Sequence, residues 1–504
     1  MYRKNTSNNN NGGISGASGS GGYQNKDSGY QNRDGGYQSR DGGYQNRDRN
    51  NSRNYQDGDG KTRLRRLDRH KNDNDSMSDN YEFVNKLSDL VEHKDVKCTQ
   101  DIIDMECDNF EEFNKTNGGL KSTLLEGIYG YGFEKPSKIQ TCVIEPMLNK
   151  KDMIAQSQSG TGKTGGFMIP ALQMVDENLQ KPQVIIVAPV AELAHQIKTF
   201  GENISKKMDI KFSYCVGKTD RQKNADELFG RNGEDVCKIL SGTPGRLVDL
   251  IINHNEAFSD IKLVVLDECD NLLSGSFKDD LYQLFNNLPK KDDEKIQICL
   301  TSATFRKDVY ELSEKFLDNP SKILLKQDKL TLDGIKQRYI LVNNENEKNK
   351  TLEKILSLIS VSQLIVYVNT KNKCDELKNF LTEQIYDDED VMTINGNMEK
   401  ADRFKILKHF ENGNGKCLIA TDLLARGIDI QQLSLIINYE LPTDERNFGN
   451  YIHRIGRTGR YGKKGTAINF ITRDEEFIQD KLKMKFRCEI EPLNEKELRD
   501  MTIS

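Results

Sequence analysis

DMIAQSQSGTGKTGGFMIPALQMV, residues 152–175, reads as a short apolar strand, a glycine-rich turn and a helix. In SGTGKT (159–164), Gly160 and Gly162 let the backbone turn tightly, so that its N–H groups and the helix N-terminus face an anion. Lys163 is then placed to reach β- and γ-phosphates, and Thr164 to ligate magnesium. Ser157 stands where the general phosphate-loop pattern has its first glycine, so the match is incomplete. A strand, a turn and a helix in this order predict an α/β fold whose ligand sits at the carboxyl ends of parallel strands.

Working outward, two series of Val/Ile-rich runs alternate with stretches of helical length. The first comprises DMIAQ (152–156), QVIIVAP (183–189), KFSYCVG (211–217), KLVVLDE (262–268) and IQICLTS (296–302). The second comprises LIVYVN (364–369), VMTING (391–396), KCLIAT (416–421), SLIINYE (434–440) and TAINFI (466–471). Runs of this kind signal parallel sheets covered by helices on both faces, and two series predict two α/β domains. The expected division is 108–325 for the first domain, the polar stretch 326–334 as linker and 335–504 for the second.

The N-terminal arm differs. From Gly21, GGYQNKD, SGYQNRD, GGYQSRD and GGYQNRD repeat with a single tyrosine as the recurring large side chain. That is too little apolar surface to offset chain entropy, so residues 1–76 are expected to be disordered, with order beginning near residue 80. RNA binding by stacking and charge, self-association and a solvated spacer all fit this composition. Residues 1–75 hold 14 Lys and Arg against 9 Asp and Glu, making the arm basic in a chain of net charge −5. The ten cysteines form no CxxC pair and no metal-spaced cluster, which points to reduced, buried thiols rather than zinc or disulfides. No apolar run approaches a membrane span.

VVLDECDNLL (264–273) carries the second chemical signal. A strand that ends in Asp267 and Glu268, in the same domain as a phosphate loop, supplies a metal-holding carboxylate and a base for the attacking water. Solvent-facing carboxylates at a strand end are the plain alternative.

GFEKPSKIQ (132–140), AQSQSGTGKT (155–164), TPGR (243–246), DECD (267–270), SAT (302–304), ATDLLARGID (420–429) and HRIGRTGR (453–460) occur in that order. Together they resemble the DEAD-box RNA helicases over roughly residues 108–495. TLDGIKQRYI (331–340), LPTDE (441–445) and GKKGTAINFIT (462–472) look most like the translation-initiation-factor 4A branch. The resemblance implies two RecA-like domains, ATP and Mg2+ as cofactors, RNA and protein regulators as partners, no membrane, a cytoplasmic or nuclear location, and action as a monomer.

It also implies roles. Phe133 and Gln140 read adenine, with either Phe110 or Phe113 as a further aromatic. Ser159, Gly160, Thr161, Gly162, Lys163 and Thr164 hold the phosphates, and Thr164 and Asp267 hold the metal. Asp429 contacts the ribose. Arg457 and Arg460 act as arginine fingers, with Lys163, Asp267 and Glu268 completing the catalytic set. Ser302, Thr304 and His453 couple that set to domain closure. Thr243, Gly245, Arg246, Asn369, Thr370, Arg403 and Thr421 grip RNA through phosphates and 2′-hydroxyls, although helix capping explains Thr243 nearly as well.

Three departures from the family pattern stand out. PVAELA (189–194) places Val190 and Ala191 where the family has Thr and Arg, Lys218 replaces the second of two paired glycines, and Cys269 replaces an alanine. The first two predict RNA binding that is weaker than the family norm and strongly salt-dependent. The third leaves the metal chemistry intact. An RNA-dependent ATPase that opens duplexes is the expected activity. An ATP-dependent RNA clamp without unwinding and a DNA translocase are the rivals, separable by strand displacement and by comparing stimulation by RNA with that by DNA.

Overall fold

The computed structural model describes residues 96–98, 107–157, 160–273, 277–289, 295–305, 307–325, 335–359, 361–422, 433–458, 465–494 and 497. The repeat arm and the expected linker lie outside the described residues.

Two sheets organise residues 96–494. The first lobe has eight strands: β1 (Val96–Cys98), β2 (Met153–Gln156), β3 (Val184–Val187), β4 (Phe212–Cys215), β5 (Ile239–Gly242), β6 (Leu263–Asp267), β7 (Gln297–Ser302) and β8 (Ser321–Leu325). Their order is β1-β8-β2-β7-β6-β3-β5-β4, with β1 antiparallel to β8 and the other pairs parallel. The second lobe has β9 (Ile335–Val342), β10 (Leu364–Tyr367), β11 (Val391–Ile394), β12 (Cys417–Ala420), β13 (Leu435–Asn438), β14 (Gly465–Thr472) and β15 (Glu491–Pro492). These run parallel in the order β11-β12-β10-β13-β14-β9-β15.

Strands β2, β3, β6 and β10 are buried along their whole length, as central parallel strands with helices on both faces must be. The first sheet divides its core into two layers, one built around Val143, Phe167 and Ile186, the other around Leu240, Leu266 and Leu300.

Six helices position the site: α1 (Lys138–Leu148), α2 (Lys163–Met174), α3 (Ala191–Ile204), α4 (Pro244–Asn253), α5 (Lys400–Glu411) and α6 (Gly449–Ile455). α1 opens with a capping box, in which the Ser137 hydroxyl accepts from the Gln140 N–H while the Gln140 side chain accepts from the Ser137 N–H. α4 opens with Pro244 in its first turn, where a missing N–H costs nothing. Among the described residues nine cysteines are free, seven of them buried. No helix among the described residues is long and apolar enough to cross a membrane.

Candidate active site

The phosphate loop emerges from β2, which holds the place in its sheet order that β9 holds in the second lobe. Gly160 and Gly162 take φ of +78° and +101°, the left-handed region that glycine enters without strain. Gly162 is the N-cap of α2, so the helix begins at Lys163 and points its free N–H groups at the loop. The Lys163 ammonium is held 2.6 Å from the Ser157 carbonyl. Ser157 and Thr161 share a hydrogen bond between their hydroxyls. Ser159 lies outside the described residues.

Gln140 is fully buried, and its Nε2 donates to the Gly162 carbonyl at 3.3 Å. A Cβ on Gly165 would sit 2.5 Å from that same Nε2, so the helix needs a bare Cα there for the glutamine to pass. Gln140 therefore serves two elements at once, capping α1 and bracing the phosphate loop. Phe133 is half-buried in an aromatic group, its ring 6.0 Å from Phe110 and 6.2 Å from Phe200, both edge-on. Phe110 and Phe113 are both fully buried, and Phe110 is packed directly on Phe133.

The carboxylates sit at the end of β6. Asp267 accepts from the Thr301 hydroxyl at 2.6 Å on the neighbouring β7. Burial, followed by the charge of Glu268, pushes its carboxyl up to about 6, against the pull of Thr301 and Lys163. Glu268 has φ +52° and ψ +49°, a left-handed conformation unusual for a glutamate, and its side chain is buried with Oε2 unbonded. Asp270 accepts from Ser302 Oγ at 2.9 Å and from Thr304 Oγ1 at 2.6 Å, which fastens the SAT segment to the acidic loop. Cys269 is packed in the core of the first lobe, and burial raises its thiol well above the usual range.

The second lobe meets this loop through α6. His453 is fully buried, with Nδ1 3.8 Å from Glu268 Oε2 and Nε2 3.7 Å from Asp270 Oδ2. Its contact is with the acidic loop, and SAT reaches it through Asp270. Gly449, the first residue of α6, faces Thr304 and Asp270, and a Cβ there would lie 3.3 Å from Thr304 Oγ1. Arg454, also fully buried, bonds Asp422, the Glu440 carbonyl and Asn369 Oδ1, and so ties α6 to the ends of β10, β12 and β13. Arg457 is buried just beyond α6. Arg460 and Asp429 lie outside the described residues.

The expected RNA residues divide by what holds them. Thr243 occupies the N-cap of α4 without its hydroxyl capping the helix, and Gly245 beside it is exposed. Arg246 donates to the Thr219 carbonyl, the Thr219 hydroxyl and Asn224 Oδ1. Asn369 receives Arg454, and Thr370 caps the helix that follows β10 by accepting from the Lys373 N–H. Thr421 is half-buried at the end of β12. Arg403, also expected at RNA, makes an ion pair with Glu192 of α3, Nε to Oε1 2.6 Å, at 7% and 1% exposure.

Sequence reasoning missed Asp270, Asp422, Glu192 and Gly449. Asp270 carried a signal, since it is the third carboxylate of an acidic run at a buried strand's end. Glu192 and Asp422 stand inside the quoted segments PVAELA and ATDLLARGID, but their partners lie far along the chain and nothing local names them; Gly449 carried no signal.

Residues 137–312 match the DEAD/DEAH box helicase family and residues 347–462 match the helicase conserved C-terminal domain. The ATP-dependent RNA helicase eIF4A of Eremothecium gossypii is 44% identical over 374 residues, covering 74% of this chain and 91% of that protein. The eukaryotic initiation factor 4A of Drosophila melanogaster is 43% identical over 386 residues, covering 77% and 91%. Among solved structures, S. cerevisiae Dbp5 bound to RNA and ADP BeF3 superposes with a TM-score of 0.70 at 32% identity, covering 79% of this chain and 99% of that one. The likeness spans both sheets, which share the RecA-like architecture of these proteins. With the phosphate loop, the acidic loop and α6 gathered at one cleft, the chain belongs to the DEAD-box helicase family, in which it is similar to the eIF4A proteins.

Proposed function

We propose that the protein is an ATP-dependent RNA helicase in which ATP and RNA close two lobes on each other, and in which hydrolysis reopens them. The observation that carries this reading is the burial of His453 against Glu268 and Asp270, which brings α6 of one lobe onto the acidic loop of the other. Closure of this kind converts the binding energy of two ligands into a change of shape that strains a bound duplex.

In this reading Phe133 and Gln140 select adenine, and Lys163 leaves the Ser157 carbonyl for the phosphates. Glu268 orients the attacking water and takes its proton at the free Oε2. Arg457 and Arg460 face the charge that develops on the transferred phosphoryl group. Asp270, holding Ser302 and Thr304 while meeting His453, links the acidic loop to closure. A magnesium ion fits beside Asp267 and Thr164, because a desolvated carboxyl held up by its carboxylate neighbour gains most from a cation. When bound, that ion neutralises phosphate charge. RNA is gripped through its phosphates and 2′-hydroxyls by Thr243, Gly245, Asn369, Thr370 and Thr421, with Arg246 bracing the first lobe's contact and Arg403 joining the lobes.

Steady-state ATP hydrolysis by the full chain, with and without single-stranded RNA and with single-stranded DNA as comparison, tests the reading. RNA stimulation together with ATP-dependent displacement of a short RNA strand is the expected result. Equal stimulation by DNA, or none by RNA, overturns it.

A further inference from the structure

The two lobes touch at a second place, away from the acidic loop. There the N-terminal turn of α5, with the residue before it, presents Glu399, Lys400, Arg403 and Phe404 to the first lobe. Arg403 pairs with buried Glu192. The Phe404 ring lies 4.9 Å from the His195 ring, three residues further along α3. Lys400 Nζ donates to the Gly217 carbonyl, and Lys218 Nζ reaches back to Glu399 Oε1 at 3.0 Å. The last two contacts cross, each lobe sending one lysine to the other.

The turn they grip is itself braced. Lys218 has φ +63°, and Arg246 donates two hydrogen bonds to Thr219, one to its carbonyl at 3.0 Å and one to its hydroxyl at 3.2 Å. Arg246 is anchored in turn on Asn224 at 2.8 Å. Both arginines expected to hold RNA here are therefore engaged by protein groups.

We propose that this seam closes the lobes through protein–protein contact, so that RNA completes a closure the chain has largely made by itself, and hydrolysis proceeds at a substantial rate without RNA. Lys218, Lys400 and Phe404 are then positioning residues for the hydrolytic step. The inference rests on the helicase reading. Its logic is population shift: whatever stabilises the closed form before RNA arrives lowers the share RNA must supply. A seam built from residues at 192, 195, 217 and 218 on one lobe and 399, 400, 403 and 404 on the other exists in the closed form alone.

The test is steady-state ATP hydrolysis by the full chain with magnesium, across a titration with poly(U). The unmodified chain is expected to run without RNA at no less than about one tenth of its RNA-saturated rate. Lys400→Ala with Phe404→Ser is expected to lower the RNA-free rate about fivefold or more and to raise the half-saturating RNA concentration, leaving the saturated rate within about twofold. Lys218→Glu lowers the RNA-free rate, and Lys218→Glu with Glu399→Lys restores it. These two side chains are about two-thirds exposed, at 66% and 67%, so the exchange does not threaten folding. An RNA-free rate below that tenth, a rate unmoved by the variants, a fall in step with the saturated rate, or no recovery on charge exchange overturns the proposal. If RNA fails to stimulate the unmodified chain at all while its RNA-free rate still falls in the variants, the helicase reading is what has failed.

Discussion

The carboxylate of Glu192 and the guanidinium of Arg403 meet 2.6 Å apart across the two lobes, both almost wholly buried. Because the pair spans the two lobes, it acts on closure more than on the folding of either lobe. Removing one member leaves the other charge buried and uncompensated in the closed form, a cost of roughly 3–5 kcal/mol. Arg403→Ala is therefore expected to reduce RNA-stimulated hydrolysis by about a hundredfold or more. The thermal midpoint should stay almost unchanged. Arg403→Lys should fall between, because lysine keeps the charge and loses the planar fork. A thermal shift as large as the loss of activity would move the pair from closure to folding.

Asp267 gives a prediction in pH. Its carboxyl is raised to about 6 in the folded chain, above the ordinary carboxylate value of 3.8. The folded state thus holds this proton more tightly than the unfolded state does. The contribution favours folding below about pH 4 and is lost as pH rises through 6. At pH 7, without nucleotide or magnesium, Asp267→Asn should raise the thermal midpoint by about 2 °C or more, and the gain should vanish near pH 4. Calorimetry at the two pH values checks this, and an equal midpoint at pH 7 would refute it.

Gln140 and Gly165 make a pair suited to a double-mutant cycle. Gly165→Ala drives a methyl into Gln140 Nε2 and displaces the amide from the phosphate loop. The KM for ATP should rise about tenfold, roughly 1.4 kcal/mol, and ATP should lose its advantage over GTP. In a Gln140→Ala background the same change should add little. Additive losses would show that the glycine acts elsewhere.

Glu268→Gln removes the proton acceptor and keeps the volume of the side chain. Turnover should drop by about 10²-fold or more while ATP binding, read by fluorescent-nucleotide displacement, is retained. An unchanged rate would take Glu268 out of its assigned role.

Much of the architecture is legible in the sequence. Val/Ile-rich runs that later bury on both faces announce themselves, and ten such runs coincide with strands. Strand β5 did not, because its two apolar residues, Ile239 and Leu240, are followed at once by Ser241 and by Gly242, where a Cβ would lie 2.2 Å from the Cys215 carbonyl oxygen. Strand β9 escaped notice because Lys336, Gln337 and Arg338 interrupt its apolar run. The site divides in the same way. The phosphate loop and the acidic loop are local motifs whose spacing carries their chemistry. Glu192 with Arg403 and Asp422 with Arg454 are meetings of distant segments, and no periodicity points from one to the other. The left-handed backbone of Glu268 was equally silent, since a glutamate's sequence context does not betray its φ.

Gly449 brings a missing side chain to the boundary between the lobes. With only a hydrogen where other residues carry a carbon, it lets backbone slide to within touching distance of Thr304 and Asp270. A methyl there would press on the Thr304 hydroxyl at 3.3 Å, a tight fit that shifts one surface against the other by a few tenths of an ångström while leaving every chemical group intact. How far the lobes can travel toward each other is thus set in part by the smallest residue on α6, at a point where empty space is what matters.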